Sequence, residues 1–178
     1  MFFSRPKSVL LLSNSGIYIY PIGNKYYYFQ FPESLAGHFK VNDPDDLASE
    51  FVKFLQSNGI QIRKATLLLD SSILFSQENK ALGKEQLSEK LTAFMDNIPL
   101  DSSDILYKAI NLGTATIFLA TSNSFLKDIV YSLNNMNLTG VYPAEIFEEF
   151  KTKAPPATID LKKLNRIAKK YKSANFAG

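Results

Sequence analysis

The chain has 178 residues, no cysteine, no tryptophan and a formal net charge of +3 at pH 7. The lack of cysteine excludes disulfides, thiolate metal sites and cysteine nucleophiles. A chain of this length buries roughly 70% of the surface that its unfolded state exposes, so it can form one large domain or two small lobes without covalent cross-links. The apolar run near the N-terminus is shorter than a signal peptide or a membrane span requires. We therefore expect a soluble, cytoplasmic protein.

The first segment predicts three antiparallel strands between residues 8 and 31. Asn14-Ser15-Gly16 and Gly23-Asn24 provide the two turns. Side chains alternate between the two faces of a strand, so one face should be apolar and the other rich in tyrosine. The apolar face carries Ile17, Ile19, Tyr27, Phe29 and Phe31, and the opposite face carries Tyr18, Tyr20, Tyr26 and Tyr28. This second face is unusually aromatic for a surface.

A polar connection with the only histidine, His38, leads into a well-marked helix. A single imidazole with no acid at ligand spacing predicts a solvated loop residue and not a metal ligand or a catalytic base. Asp43 and Pro44 are typical of the start of a helix, and Gly59 is typical of its end. The apolar stripe Leu47, Phe51, Phe54 and Leu55 should face the core.

The apolar run of residues 65–70 predicts a central strand, which completes the order βββαβ of a ribonuclease H-like or actin-like sheet. Asp70 ends this strand, where nucleases of the ribonuclease H type place metal-binding acids. Such a site needs acids from several strands, and the first strand, Val9 to Asn14, offers no acid. We therefore expect Asp70 to cap a loop. Residues 71–77 are predicted to be extended, and residues 79–83 to form a polar break.

The following elements are predicted from periodicity and turn residues. Residues 84–97 should form a second amphipathic helix that Pro99 ends. Residues 105–111 and 114–120 should pair as a hairpin around Leu112-Gly113, followed by a third helix and by a short strand at Gly140-Val141. Residues 143–150 predict one or two helical turns.

The C-terminal segment predicts an amphipathic helix that Asp160 caps. Its apolar side is formed by Leu161, Leu164, Ile167, Ala168 and Tyr171, and its basic side by Lys162, Lys163, Arg166, Lys169 and Lys170. The basic side can be a solvated outer surface or a segment that faces anionic lipids, because basic residues collect on the cytoplasmic side of membranes. Nucleic-acid binding is the third alternative, but aromatic residues for base stacking are absent from the basic side.

The order of these elements resembles the PilM and GspL family of type IV pilus and type II secretion assembly proteins. The resemblance lies in IPLDSSDILYKAINLG and TIFLATSNSFLKDIVYSLNNMNLTGVYPAEIF and covers most of residues 8–150. Shared features are the pairs Ile98-Pro99 and Leu100-Asp101, the strand of residues 116–120, the helix of residues 125–136, and the turn and strand of residues 138–143. The resemblance implies an α/β fold with an actin-like first lobe, a mixed sheet and a small inserted α/β subdomain. We expect the lobe at residues 1–78, the subdomain at 79–150, and a basic linker and helix at 151–178.

The residues that depart from the family pattern bear on mechanism. Actin-like ATPases carry an Asp-x-Gly phosphate loop on the first hairpin, but here the stretch from Leu10 to Gly16 has no acid. We therefore expect no enzymatic activity and no cofactor. The hypothesis is a non-catalytic scaffold at the cytoplasmic face of a bacterial inner membrane, which binds protein partners of a pilus or secretion platform through Tyr18, Tyr20, Tyr26 and Tyr28. The alternatives are a fragment of a nucleotide-binding ATPase and a basic nucleic-acid-binding domain, and the sequence leaves the oligomeric state open.

Overall fold

A computed structural model of the chain describes residues 8–21, 25–151 and 155–177, so the predicted turn at Gly23-Asn24 lies outside the described residues. The strands are β1 Ser8–Ser13, β2 Gly16–Tyr20, β3 Tyr27–Gln30, β4 Ala36–Gly37, β5 Lys40–Val41, β6 Lys64–Leu69, β7 Phe75–Lys80, β8 Ile105–Asn111, β9 Ala115–Ser122 and β10 Asn137–Pro143. The helices are α1 Pro44–Ser57, α2 Lys84–Asp96, α3 Asn123–Ser132 and α4 Leu161–Lys170.

A five-stranded mixed sheet forms the main body, with strand order β10-β6-β1-β2-β3. The first three strands form the predicted antiparallel meander, and β6 and β10 then add in parallel on the other side of β1. Every residue of β1 is buried, as expected for a central strand that is covered on both faces. This order and these directions confirm the predicted ribonuclease H-like topology.

The apolar face of the meander packs on α1, as the alternation of side chains predicts. The ring of Phe29 lies 5.2 Å from that of Phe51 and 5.4 Å from that of Phe54. The predicted helix start is also confirmed, because the Asp43 carboxylate accepts a hydrogen bond from the backbone N–H of Asp46 at 2.9 Å. At the other end Gly59 has a φ of 65°, a conformation that glycine adopts without a steric penalty.

The second sheet has three antiparallel strands in the order β7-β9-β8. The hairpin of β8 and β9 was predicted, but residues 71–77 are not extended throughout. Residues 71–73 form a 3₁₀ turn capped by Asp70, and β7 extends to Lys80, two residues into the predicted polar break. Its polar side chains gave no strand signal in the sequence, because they face solvent while the backbone of β7 pairs with β9.

Helix α2 packs on the second sheet and gives it a core of its own. Phe94, Ile98, Phe118 and Ala120 form this buried cluster, which is separate from the large cluster around the main sheet. The boundary predicted between residues 78 and 79 falls inside β7, and β10 pairs with β6 in the main sheet. The chain therefore leaves the main sheet after β6, builds the second sheet and returns through α3 and β10.

The C-terminal segment is part of the packed body. The Asp160 carboxylate accepts hydrogen bonds from the backbone N–H groups of Lys162 and Lys163, which confirms the predicted cap of α4. Leu164 is only 3% exposed, so the apolar side of α4 covers the main core. Beyond the helix, the backbone N–H of Phe176 donates to the carbonyl of Val141 at 2.7 Å. This bond ties the end of the chain to β10.

Candidate functional site

The four predicted tyrosines form a connected cluster on the side of the meander opposite α1. Tyr18 and Tyr28 are cross-strand partners with ring centroids 4.5 Å apart. Tyr26 lies 5.6 Å from Tyr18 and 5.7 Å from Tyr20. Aromatic pairs at such distances stabilise each other beyond the area that they bury. The structure thus brings together all four residues of the predicted partner surface, which we call the tyrosine cluster.

The four rings differ in how much of each a partner can reach. Tyr26 is 41% exposed, whereas Tyr20 is only 5% exposed. Tyr20 packs edge-on against Phe150 at 6.4 Å and its hydroxyl has no hydrogen-bond partner among the described residues. A partner can therefore contact Tyr26 and the half-buried rings of Tyr18 and Tyr28, while Tyr20 supports them from below. The four predicted contact residues therefore divide into three that a partner can reach and Tyr20, which the protein itself covers.

The hydroxyl groups of the inner tyrosines are neutral at physiological pH. Burial raises the pKa of Tyr20, and the neighbouring rings of Tyr26 and Tyr18 add to the effect. Burial also raises the pKa of Tyr18, with contributions from Tyr28, Tyr26 and Asp70. The cluster offers a surface of aromatic rings with hydroxyl groups at their rim. Tyrosine surfaces of this kind are enriched at protein interfaces.

Glycine at position 16 is required for the position of Tyr28. A Cβ atom on Gly16 would lie 2.3 Å from the carbonyl oxygen of Phe29 and 2.9 Å from the Tyr28 ring. Without a side chain at this point, the ring lies over the start of β2. Its hydroxyl group then shares a hydrogen bond of 2.8 Å with Ser15 in the β1–β2 turn. The turn that the sequence marks therefore also fixes the outer ring of the cluster.

A cleft of about 410 Å³ begins on the other side of this turn. It is lined by Asn14 and Ser15 of the turn, by Gln30 and Phe31 at the end of β3, and by residues of the β4–β5 hairpin. Side chains of both charges line it, among them Glu33 and Lys40. Its volume is in the range of pockets that bind small ligands or single side chains of a partner, about 300–1,000 Å³. Ser15 lines the cleft and shares a hydrogen bond with Tyr28 of the tyrosine cluster, so the cleft and the cluster form one continuous surface at this residue.

The hairpin that closes this cleft has an unusual backbone. Its two turn residues, His38 and Phe39, have φ values of 50° and 61°, where glycine or asparagine is the usual residue. Two ring contacts hold the turn in place, since Phe39 stacks on Phe75 at 5.4 Å and meets Phe125 at 5.9 Å. His38 is exposed, as predicted, but it lines the cleft. The sequence suggested no site here, because glutamate, histidine and lysine at these spacings match no known motif.

The outer edge of β3 offers unpaired backbone groups beside the same surface. The backbone N–H of Phe31 donates to the carbonyl of Ser15, which makes these two residues a hydrogen-bonded pair. Hydrogen-bonded and non-hydrogen-bonded pairs alternate along antiparallel strands. Tyr28 and Gln30 therefore belong to non-hydrogen-bonded pairs and direct their N–H and C=O groups away from β2. Within the described residues no other strand pairs with β3. An extended segment of a partner could add to this edge.

Asp70 and Glu145 are the carboxylates at the ends of the parallel strands. Asp70 accepts a hydrogen bond of 2.8 Å from the backbone N–H of Ser72, which is the predicted capping role. Burial raises the pKa of Glu145 and the charge of Asp70 adds to this, while a hydrogen bond from Ser76 opposes it. Within the described ranges, no group of three or more acidic, histidine or cysteine side chains is placed to hold a metal ion.

The predicted basic residues lie on α4, and most of them face solvent. Lys162, Arg166, Lys169 and Lys170 are exposed, whereas Lys163 is half-buried and forms an ion pair of 2.9 Å with Glu149. Residue 150, next in the chain, touches Tyr20, so this short segment links α4 to the tyrosine cluster. No helix in the described part of the chain is long and apolar enough to cross a membrane.

Comparison with known proteins gives no match to a family model and none to a curated protein. Among solved structures, the fold is similar to a chain of the PilM-PilN type IV pilus biogenesis complex, with a TM-score of 0.58 and 11% identity over 80% of this chain and 49% of that chain. The cytoplasmic domain of EpsL, an inner-membrane component of the type II secretion system of Vibrio cholerae, has a TM-score of 0.47 and 17% identity over 78% of this chain and 57% of that chain. A Bacteroides thetaiotaomicron protein with an actin-like ATPase fold and unknown function has a TM-score of 0.44 and 11% identity over 79% of this chain and 52% of that chain.

These similarities concern the fold. The similarity to the chain of the PilM-PilN complex confirms the predicted resemblance to PilM at that level. The chain spans about half the length of the matched chain in the PilM-PilN complex.

Proposed function

We propose that this chain is a non-catalytic scaffold domain that binds a partner protein in a type IV pilus or type II secretion platform, on the cytoplasmic side of the inner membrane. The observation that carries the proposal is the continuous surface of tyrosine cluster, polar cleft and open β3 edge. Its fold is similar to that of a component of the PilM-PilN complex, which supports a role in assembly. Contact with the membrane surface through α4 belongs to the same proposal.

The three parts of the surface suit recognition of an extended protein segment. The outward N–H and C=O groups of Tyr28 and Gln30 can pair with a partner's backbone, which gives affinity without sequence preference. Tyr26 and Tyr18 can pack against side chains of that segment, and the cleft can accept one of its polar side chains. Such recognition requires neither an activated nucleophile nor a metal ion.

The β1–β2 turn favours a binding role over nucleotide hydrolysis. Actin-like ATPases place a carboxylate there to organise the metal ion and water, whereas this turn offers Ser13, Asn14 and Ser15. The hydroxyl of Ser13 donates to the carbonyl of Gly16 at 3.0 Å, and the backbone N–H of Asn14 donates to Ser72. These groups are therefore used to hold the turn.

The test measures binding to the PilN-type protein of the same bacterium by calorimetry. Replacing Tyr26 and Tyr28 with alanine should weaken binding at least tenfold, because tyrosines at the centre of interfaces commonly contribute about 2 kcal/mol or more. Tyr107→Ala is the matched control, since Tyr107 is 43% exposed on the second sheet. Undiminished binding by the double variant, or an equal loss in the control, would contradict the proposed surface.

A further inference from the structure

The positive charge of the chain is concentrated in its C-terminal segment. Residues 155–177 contain six lysine or arginine residues and one acidic residue, whereas the rest of the chain contains fourteen basic and sixteen acidic residues. The net charge of +3 is therefore the sum of a strongly basic C-terminal segment and a slightly acidic remainder of the chain. Helix α4 carries most of this charge.

Four of these cations form one stripe along α4, which we call the basic stripe. Lys162, Arg166, Lys169 and Lys170 are spaced at i, i+4, i+7 and i+8, which places them on a single helix face. All four are exposed, and none of them has an ion pair with a carboxylate of the described residues. Lys163, outside the stripe, is the cation of α4 that has such a pair.

The stability of the helix does not account for the whole stripe. Lys169 and Lys170 in the last turn are favourable, because the C-terminal end of a helix carries a partial negative charge. Lys162 lies in the first turn, where the same dipole disfavours a cation. A lysine at this position extends the stripe over the full helix, about 15 Å at the rise of an α-helix.

The apolar side of α4 is already used within the protein. Leu164 is buried, and Ile167 and Tyr171 pack against the main core. The segment after the helix is fixed to β10, since Asn175 Oδ1 accepts a hydrogen bond of 2.9 Å from the backbone N–H of Val141. The helix cannot turn its apolar side outward without opening the core. A ligand of the stripe must therefore be held by charge at the surface.

We propose that the basic stripe binds the surface of an anionic lipid bilayer, peripherally and without insertion of the helix. Clusters of four to eight basic residues on an amphipathic helix are typical of proteins that bind acidic lipid headgroups. Each cation raises the partition coefficient onto the membrane about fivefold. A nucleic acid fits less well, because the stripe has no exposed aromatic side chain for base stacking. The neighbouring aromatic residue, Tyr171, packs against the main core. The Lys170 Nζ atom lies over the Tyr171 ring, 5.1 Å from the ring centre.

This inference deepens the proposed function, on which it rests for the placement of α4 at the membrane, and it depends on residues outside the tyrosine cluster. Vesicle binding requires the basic stripe, and partner binding requires the tyrosine cluster. The two experiments can therefore fail independently of each other. If both hold, the segment of residues 148–151, which contacts α4 through Glu149 and Tyr20 through Phe150, places the tyrosine cluster next to the membrane.

The experiment is co-flotation of the whole chain with vesicles containing about 30 mol% phosphatidylglycerol, and with vesicles of phosphatidylcholine alone. Changing the four residues of the stripe to glutamine should reduce partitioning by about 600-fold. The matched control changes four exposed lysines elsewhere to glutamine and should retain most of the binding. These control residues are Lys80, Lys84, Lys90 and Lys127. Thermal melts establish that both variants are folded.

The unmodified chain provides a second readout that needs no variant. Its binding should fall steeply between about 50 mM and about 500 mM salt, where the Debye length shortens to about 4 Å. It should not bind phosphatidylcholine alone. The proposal is overturned if anionic vesicles are not bound, if both variants lose binding equally, or if a DNA oligonucleotide displaces the vesicles from the stripe.

Discussion

Tyr20→Phe tests the packing of the tyrosine cluster most directly. The ring of Tyr20 is 5% exposed, and its hydroxyl has no partner among the described residues. A buried hydroxyl without a hydrogen bond costs about 1–3 kcal/mol in proteins. Removing the oxygen leaves a void of roughly 15 Å³, which costs about 0.4 kcal/mol. We therefore expect Tyr20→Phe to raise the free energy of unfolding by about 1 kcal/mol, or the melting temperature by about 2–4 °C.

The stabilisation should increase at alkaline pH. Burial raises the pKa of Tyr20 in the folded state above its value in the unfolded chain, about 10. Above that pH the unfolded tyrosine loses its proton first, so the wild type loses up to about 1.4 kcal/mol of stability per pH unit. The phenylalanine variant lacks this loss. Urea unfolding followed by circular dichroism at about pH 8 and about pH 11 measures the difference.

Tyr107→Phe is the control, because it removes the same atom from a tyrosine that is 43% exposed. Its effect on the free energy of unfolding at about pH 8 should stay within about 0.5 kcal/mol. If Tyr20→Phe destabilised the protein by more than about 1 kcal/mol, the hydroxyl would have a hydrogen-bond partner and the reasoning would be refuted. If the stabilisation by Tyr20→Phe did not increase between about pH 8 and about pH 11, that result would contradict the raised pKa of Tyr20.

Three further predictions concern the turn, the first helix and nucleotide binding. Gly16→Ala should lower the free energy of unfolding by about 1–3 kcal/mol in urea titrations, because the added Cβ would overlap the Phe29 carbonyl. Gly83→Ala is the control, because a Cβ there meets open space, and it should lower the free energy of unfolding by only about a few tenths of a kcal/mol. Asp43→Ala removes the cap of α1 and should cost about 1 kcal/mol by the same measurement, and an unchanged midpoint would count against that cap. Saturating Mg-ATP should leave the melting temperature unchanged, because the β1–β2 turn carries no carboxylate, and a rise of about 5 °C or more would favour the ATPase alternative.

Local signals were sufficient to predict most elements of this protein. The alternation of side chains placed Phe29 against α1 and Tyr18 on the opposite face, because successive residues of a strand must point in opposite directions. Asp43 and Asp160 marked helix starts, since the unpaired N–H groups there need an acceptor close in sequence. The end of β7, residues 78–80, was missed, because its pairing with β9 is a long-range contact that leaves no apolar pattern in polar residues such as Glu78 and Asn79.

The tyrosine cluster was predicted as a set of residues but not as a surface. Sequence alternation could not show that Phe150, more than a hundred residues away, covers Tyr20 and leaves Tyr26 open. The cleft beside the cluster had no signal at all. It exists because the β1–β2 turn and the β4–β5 hairpin approach each other, and neither Ser15 nor His38 belongs to a recognisable motif.

The sequence by itself determined the βββαβ order, the helix caps, the tyrosine face and the basic side of α4, because each depends on neighbours along the chain or on a simple period. It also excluded an acid from the β1–β2 turn. Only the tertiary structure decided that β10 returns to the main sheet, that α4 buries its apolar side against the core, and that the tyrosines, the cleft and the β3 edge are continuous. These features arise from contacts between residues far apart in the chain, which burial of apolar surface selects and which no local pattern encodes.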